Sequence, residues 1–181
     1  MNPSSNEDMK NAGSGDWPKA IHEVLRGAGI RQIAFVPDAG HARLIRLCGA
    51  DPGMRLVPLT TEEEGIGLLA GAWLGGERGV LLMQSSGVGN CVNAFTLLRQ
   101  CRVPFLSLVA MRGEWGEFNP WQVPMGQGTR AALELGGCVV YRVEETEEVA
   151  PTVEAAAHMA FDSGIAVGVL LAQRLIGSKQ W

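Results

Sequence analysis

"TTEEEGIGLLAGAWLGGERGVLLMQSSGVGN", residues 60–90, holds the pattern that decides the fold. Thr60 or Thr61 offers an N-cap, and an apolar helical segment runs from there to a stop at Gly75 and Gly76. "GVLLMQ", residues 79–84, is a continuous apolar run, the signature of a central parallel strand covered on both faces. A Ser/Gly turn follows, and "GVGNCVNAFTLLRQC" reads as a helix beginning at its glycines.

The same rhythm extends outward. Before the stretch, "WPKAIHEVLRGAGI" is a helix with Ile21, Val24 and Leu25 on one face. "QIAFVPD" is a strand, "AGHARLIRLCGAD" a helix with Leu44, Ile45 and Leu47 inward, and "MRLVPLT" a strand. After it come strand "VPFLSLVAM", helix "MGQGTRAALELGG", strand "CVVYRV", helix "TEEVAPTVEAAAHMAFDSG" and strand "IAVGVLLAQRLI". Pro151 is expected in the first turn of its helix or between that helix and a short lead-in. Strands alternating with helices imply parallel βαβ connections. The fold class is therefore α/β, a single doubly wound domain with a mostly parallel six-stranded sheet flanked by helices. Residues 1–15, polar throughout, read as a disordered tail, and 16–181 as the domain.

Composition narrows the function classes. With 46% hydrophobic and 19% charged residues the 181-residue chain is globular, and it is long enough to bury a sizeable core. A net charge of −4 leaves no basic stripe for nucleic acid. No segment reaches the ~18 continuous apolar residues of a membrane span, and the polar start "MNPSSNEDMKNAGSGD" has no signal core, so a cytoplasmic protein is expected. Cys48, Cys91, Cys101 and Cys138 are scattered without zinc-ligand spacing. They read as buried free thiols of a reducing compartment, and no metal ligand is assigned to this chain.

Three consecutive carboxylates open the helix at residue 62. Thr61-x-x-Glu64 matches a capping box, and carboxylates in a first turn are favoured by the helix dipole. Those effects account for Glu63 and Glu64. Glu62 differs, because it shares a helical face with Ile66, Leu69 and Trp73. A carboxyl drawn toward an apolar interior is either a tolerated cap or a working group that holds a proton near neutral pH.

The turn "MQSSGVGNCVN", residues 83–93, is the second chemical feature. It lacks the Lys-Ser/Thr of a P-loop and the third glycine of a dinucleotide fingerprint. A tight βα turn needs only its glycines. Gln84, Ser85, Ser86, Asn90 and Asn93 add more polarity than such a turn requires.

Taken in order, "EEEGIGLLAGAWLGG" and "LLMQSSGVGNCVN" resemble the pyrimidine-binding domain of thiamine diphosphate enzymes. They are most similar to the α subunits of sulfopyruvate decarboxylases and the equivalent half of phosphonopyruvate decarboxylases. "FVPD" at 35–38 and "VPMGQGT" at 123–129 extend that resemblance, which runs from about Trp17 to Ile176. It implies the thiamine diphosphate-binding fold and a glutamate that hydrogen-bonds N1′ of the cofactor's aminopyrimidine. Counting nine residues back from Gly71 selects Glu62 as this catalytic and cofactor-binding residue. Gln84, Ser85, Ser86, Gly87 and Asn90 would line the cofactor.

The magnesium-binding Gly-Asp-Gly of such enzymes is missing, since the single Gly-Asp pair is Gly15-Asp16, followed by Trp17. The resemblance thus implies an obligate β subunit that holds the diphosphate and Mg2+, a hetero-oligomer inactive as one chain. Trp115, Phe118 and Trp121 belong either to that contact or to a loop folded on its own core. The implied substrate is 3-sulfopyruvate, with phosphonopyruvate or another 2-oxo acid as the alternative. His41, Arg112 and Gln122 are the candidate substrate residues; solvated, surface and loop-stabilising roles are their plain alternatives. A non-catalytic α/β module serving regulation or assembly is the rival from a different class.

Overall fold

The computed structural model describes residues 16–177; the expected tail at 1–15 lies outside the described residues. Helix α1 (Trp17–Gly27) begins at Asp16, whose carboxylate accepts from the Lys19 N–H, and carries Pro18 in its first turn. It leads to β1 (Ile30–Phe35), a short 3-10 turn at Ala39–His41, α2 (Ala42–Ala50) and β2 (Arg55–Pro58). Next come α3 (Glu62–Leu74), β3 (Arg78–Gln84), α4 (Ser85–Cys91), α5 (Phe95–Cys101) and β4 (Phe105–Ala110). The chain closes with a 3-10 turn at Pro120–Gln122, then α6 (Val123–Leu135), β5 (Val139–Val143), α7 (Thr146–Ser163), β6 (Ala166–Leu171) and α8 (Gln173–Ile176).

The sheet has six strands in the order β2-β1-β3-β4-β6-β5, and every pair is parallel. The apolar run of β3 explains why it is central: Val80 and Leu82 enter one core, Leu81 and Met83 the other. The first core joins the sheet to α1, α2 and α7 through Ile21, Leu25, Leu44, Val153 and Phe161. The second joins it to α3, α4, α5 and α6 through Ile66, Leu69, Val88, Phe95 and Leu133. Because β1 feeds α2 on one face and adjacent β3 feeds α4 on the other, their carboxyl ends form a topological switch point, where open α/β sheets commonly take ligands.

Several local expectations are corrected. The helix expected from the glycines of the central turn starts earlier, at Ser85, and is split by residues 92–94 into α4 and α5. Gly87 and Gly89 sit inside α4, where they permit close approach of neighbours rather than starting a helix. The final strand stops at Leu171, and Gln173–Ile176 is helical. Helix α6 begins at Val123 with Pro124 in its first turn, so the irregular segment after β4 is shorter than the sequence suggested. Pro151 lies within α7, at an exposed position where the carbonyl it cannot serve meets solvent. Three cysteines are buried, but Cys101 is exposed. Among the described residues, no helix is long and apolar enough to cross a membrane.

Candidate functional site

The three carboxylates separate as their helical positions require. Glu62 is only 6% exposed and shares its inward side with buried Ile66 and Leu69, while Glu63 and Glu64 face solvent. Thr61 occupies the N-cap in extended conformation without a side-chain cap bond. The expected Thr61-x-x-Glu64 capping box is not formed: the Glu64 carboxylate accepts instead from the N–H of Thr60, one residue before the cap, at 2.9 Å. The Thr61 hydroxyl beside Glu63 holds that carboxyl below the usual range.

A buried carboxylate needs a donor and room. The donor is Asn90, whose Nδ2 lies 2.8 Å from Glu62 Oε2. Room comes from Gly87: a Cβ there would stand 2.4 Å from Glu62 Cδ and Oε1. Oε1 has no hydrogen-bond partner among the described residues. Cys91, on the buried side of the same turn, has its thiol pushed up to about 12 by burial and by the charge of Glu62, so it stays protonated and apolar.

The remaining turn residues divide in role. Gln84 ends β3 in extended conformation and is half-buried, as is Ser86. Ser85 is fully buried, and its side chain serves the fold: Oγ accepts from the Arg112 N–H at 3.0 Å and donates to the Arg112 carbonyl at 3.2 Å. Thr129 of α6 donates to the Ser85 carbonyl. The ends of β3 and β4 and the middle of α6 are thereby tied at one point.

Of the three expected substrate residues, His41 departs furthest from expectation. It is fully buried, neither solvated nor facing an open cleft. Its Nε2 donates to the Met83 carbonyl at 3.1 Å, which leaves Nδ1 without a partner among the described residues. Burial pushes its pKa down, opposed by the charge of Asp38. Arg112 is half-buried and forked onto Glu117, with Nε and Nη2 each 2.7 Å from a carboxylate oxygen. Gln122 is half-buried at the entrance to α6, and its Oε1 is buried without a partner among the described residues.

The periodicities did not point to the network that holds the loop after β4. Glu117 accepts from Arg112, from the Gly113 and Asn119 N–H groups, and from Gln173 Nε2. Glu114 is forked by Arg142 at 2.6 and 3.1 Å. The available signal was the unusual density of Glu, Trp and Arg in "RGEWGEFNPW". On this fixed frame Trp115 and Trp121 stand 54% and 87% exposed. Arg174 stacks 4.5 Å from the Trp115 ring.

The Glu117 carboxyl is held down to about 2, first by the Arg112 guanidinium and then by its N–H donors, against burial. An unfolded glutamate titrates at about 4.3. The depressed folded value therefore stabilises the protein fully above that pH and is lost as pH falls toward 2. Glu117→Gln is expected to cost about 3 kcal/mol at pH 7, since it leaves Arg112 half-buried and unpaired. Denaturant unfolding from pH 7 to pH 2.5 should show that gap narrowing only below about pH 5. A gap independent of pH would refute the ion pair's role.

No family model matches the sequence. The chain is 31% identical over 154 residues to the sulfopyruvate decarboxylase subunit alpha of Methanococcus maripaludis, across 84% of this chain and 92% of that protein. It belongs to the sulfopyruvate decarboxylase α-subunit family. A sulfopyruvate decarboxylase of Methanosarcina acetivorans is 32% identical over 130 residues, which are 71% of this chain but 33% of that longer one. Phosphonopyruvate decarboxylase of Streptomyces viridochromogenes is 38% identical over 113 residues, 61% of this chain and 28% of that protein. All three relatives are decarboxylases. The fold matches part of a 2-oxoglutarate:ferredoxin oxidoreductase from Magnetococcus marinus, with a TM-score of 0.66 at 14% identity, over 85% of this chain and 28% of that one.

Proposed function

We propose that the chain is the α subunit of a two-chain, thiamine diphosphate-dependent decarboxylase that converts 3-sulfopyruvate to sulfoacetaldehyde and CO2. The observation that carries this reading is the Glu62 carboxylate, buried, seated on Gly87 and bonded by Asn90, in a chain of this family. The residues fit an aminopyrimidine: one carboxylate oxygen is fixed by protein and the other has no protein partner among the described residues. When bound, thiamine diphosphate supplies the carbon nucleophile and the electron sink for decarboxylation.

The chain's own residues do the rest. Glu62 holds and exchanges a proton at the pyrimidine ring nitrogen N1′. Asn90 fixes its orientation, and the apolar surroundings of Ile66 and Cys91 keep water from it. Gln84, Ser86 and Gly87 would line the ring, whereas Ser85 serves the fold by fixing the Arg112 backbone. Arg112 engages Glu117 through Nε and Nη2, so its Nη1 is the group we assign to the sulfonate, and Gln122 remains a second candidate for the substrate. His41, buried in the turn after β1, ties that turn to β3 at the Met83 carbonyl.

The partner is a β subunit carrying the diphosphate and Mg2+ site. The missing Gly-Asp-Gly supports this, as does the much longer chain of the Methanosarcina relative. Trp115, Phe118 and Trp121 offer it aromatic anchors on a rigid frame. Four unpaired cysteines are consistent with a reducing, cytoplasmic setting.

Co-expression with the adjacent reading frame is expected to yield a stable complex that releases CO2 from sulfopyruvate, while either chain alone is inactive. Parallel assays with phosphonopyruvate and pyruvate establish the preference. No copurifying partner, or full activity of the chain alone, would refute the two-subunit reading.

A further inference from the structure

Gln173 is the first residue of α8, directly after β6, and it is 1% exposed. Nothing in its local pattern marks it, yet its amide is the centre of the strap across the ends of β4, β6 and β5. Oε1 accepts from the backbone N–H groups of Glu114 and Trp115 at 2.9 and 3.0 Å. Nε2 donates to Glu117 Oε2 at 2.9 Å, and the Gln173 backbone N–H donates to Glu114 Oε2 at 3.3 Å.

Few side chains meet these demands together. A carboxylate accepts from both N–H groups but, when ionised, cannot donate to Glu117. An aliphatic side chain does neither. The decisive detail is which oxygen Gln173 takes. Glu117 Oε2 receives Gln173 Nε2 and also Arg112 Nε, at 2.9 and 2.7 Å. Gln173 therefore limits the rotation of Glu117, and Glu117 sets the plane of the Arg112 guanidinium through its second contact at Nη2.

We infer that Gln173 is a positioning residue for substrate binding: it holds Glu117, and through it aims the Arg112 guanidinium at the anionic end of the substrate. The inference rests on the proposed role of Arg112. Such a residue affects ground-state affinity for the anion more than the chemical step, because it does not reach Glu62 or the turn that lines the pyrimidine.

The test uses the assembled α–β complex with two variants. Gln173→Leu removes every side-chain bond. Gln173→Glu keeps acceptors for the Glu114 and Trp115 N–H groups but sets a carboxyl against Glu117. Both are expected to raise KM for sulfopyruvate about tenfold, with kcat within about threefold of wild type. Hydrogen exchange at the Glu114 and Trp115 amides should accelerate about tenfold in Gln173→Leu and stay near wild type in Gln173→Glu. That contrast separates loss of the loop from loss of Arg112's aim. An unchanged KM in both variants, or kcat falling as far as KM rises, overturns the inference. If Gln173→Leu does not fold, Gln173→Glu alone decides on the same KM criterion. A wild-type complex that decarboxylates no 2-oxo acid overturns the functional reading itself, a result distinct from any behaviour of the variants.

Discussion

Glu62→Gln is expected to lower kcat of the assembled complex by about three orders of magnitude while leaving its thermal unfolding almost unchanged, the middle of the range for loss of a positioned acid–base group. The glutamine has the same shape, fits over Gly87, and keeps an oxygen for Asn90 Nδ2. What it loses is the carboxylate itself, the group that can exchange a proton with a ring nitrogen. Cofactor affinity should fall less than kcat, because most binding contacts lie outside this carboxyl. Neighbouring carboxylates provide the control. Glu63→Gln and Glu64→Gln remove exposed charges from the first turn of α3, a change worth ~0.3–1 kcal/mol of helix stability. Glu64→Gln keeps an oxygen for the Thr60 N–H, so its effect should be the smaller of the two. Steady-state decarboxylation and a thermal melt on the three variants check the whole set. Activity retained in Glu62→Gln, or lost equally in all three, removes the assignment.

The division among those three residues was legible from the sequence because helical periodicity reports which face is buried. Ile66, Leu69 and Trp73 mark the inward stripe, and Glu62 falls on it. The parallel sheet was legible for a similar reason: an uninterrupted run such as Val80 to Met83 has two buried faces, and only covered parallel strands commonly do. Periodicity is silent on contacts between distant side chains. Gln173 and Glu114 are 59 residues apart, and the bond between them exists only once β4 and β6 are neighbours. The pattern of "LLAQRLI" extends the strand over Gln173, since its apolar run continues past the point where the chain turns into α8. His41 misled in the opposite direction. A histidine near the start of a helix is usually wet, but the 3-10 turn at residues 39–41 buries this one against the Met83 carbonyl. The glycines of the central turn were read as a helix start, whereas their places in α4 are set by what lies across from them: Glu62 for Gly87, Met125 for Gly89.

Gly87→Ala tests that last point and should produce the second large effect. The added Cβ would lie 2.4 Å from Glu62 Cδ and Oε1 and 2.5 Å from Cγ, too close for the Glu62 side chain to keep its place. The carboxylate cannot swing aside freely, because leaving its seat breaks the Asn90 bond and strands a charge in apolar surroundings. The fold is expected to lose about 1–3 kcal/mol through overpacking. The kcat should drop about a hundredfold, in proportion to how far the carboxylate is displaced. The same substitution at Gly128 in α6, where a Cβ meets nothing within 4 Å, should instead stabilise by about 0.5–1 kcal/mol. The double variant decides the route of the effect. If Gly87 acts by seating Glu62, then adding Gly87→Ala to Glu62→Gln costs stability but little further kcat, because the group being misplaced has already lost its proton chemistry. A full hundredfold further loss would mean that Gly87 acts chiefly through its own contact with the cofactor and not by seating Glu62.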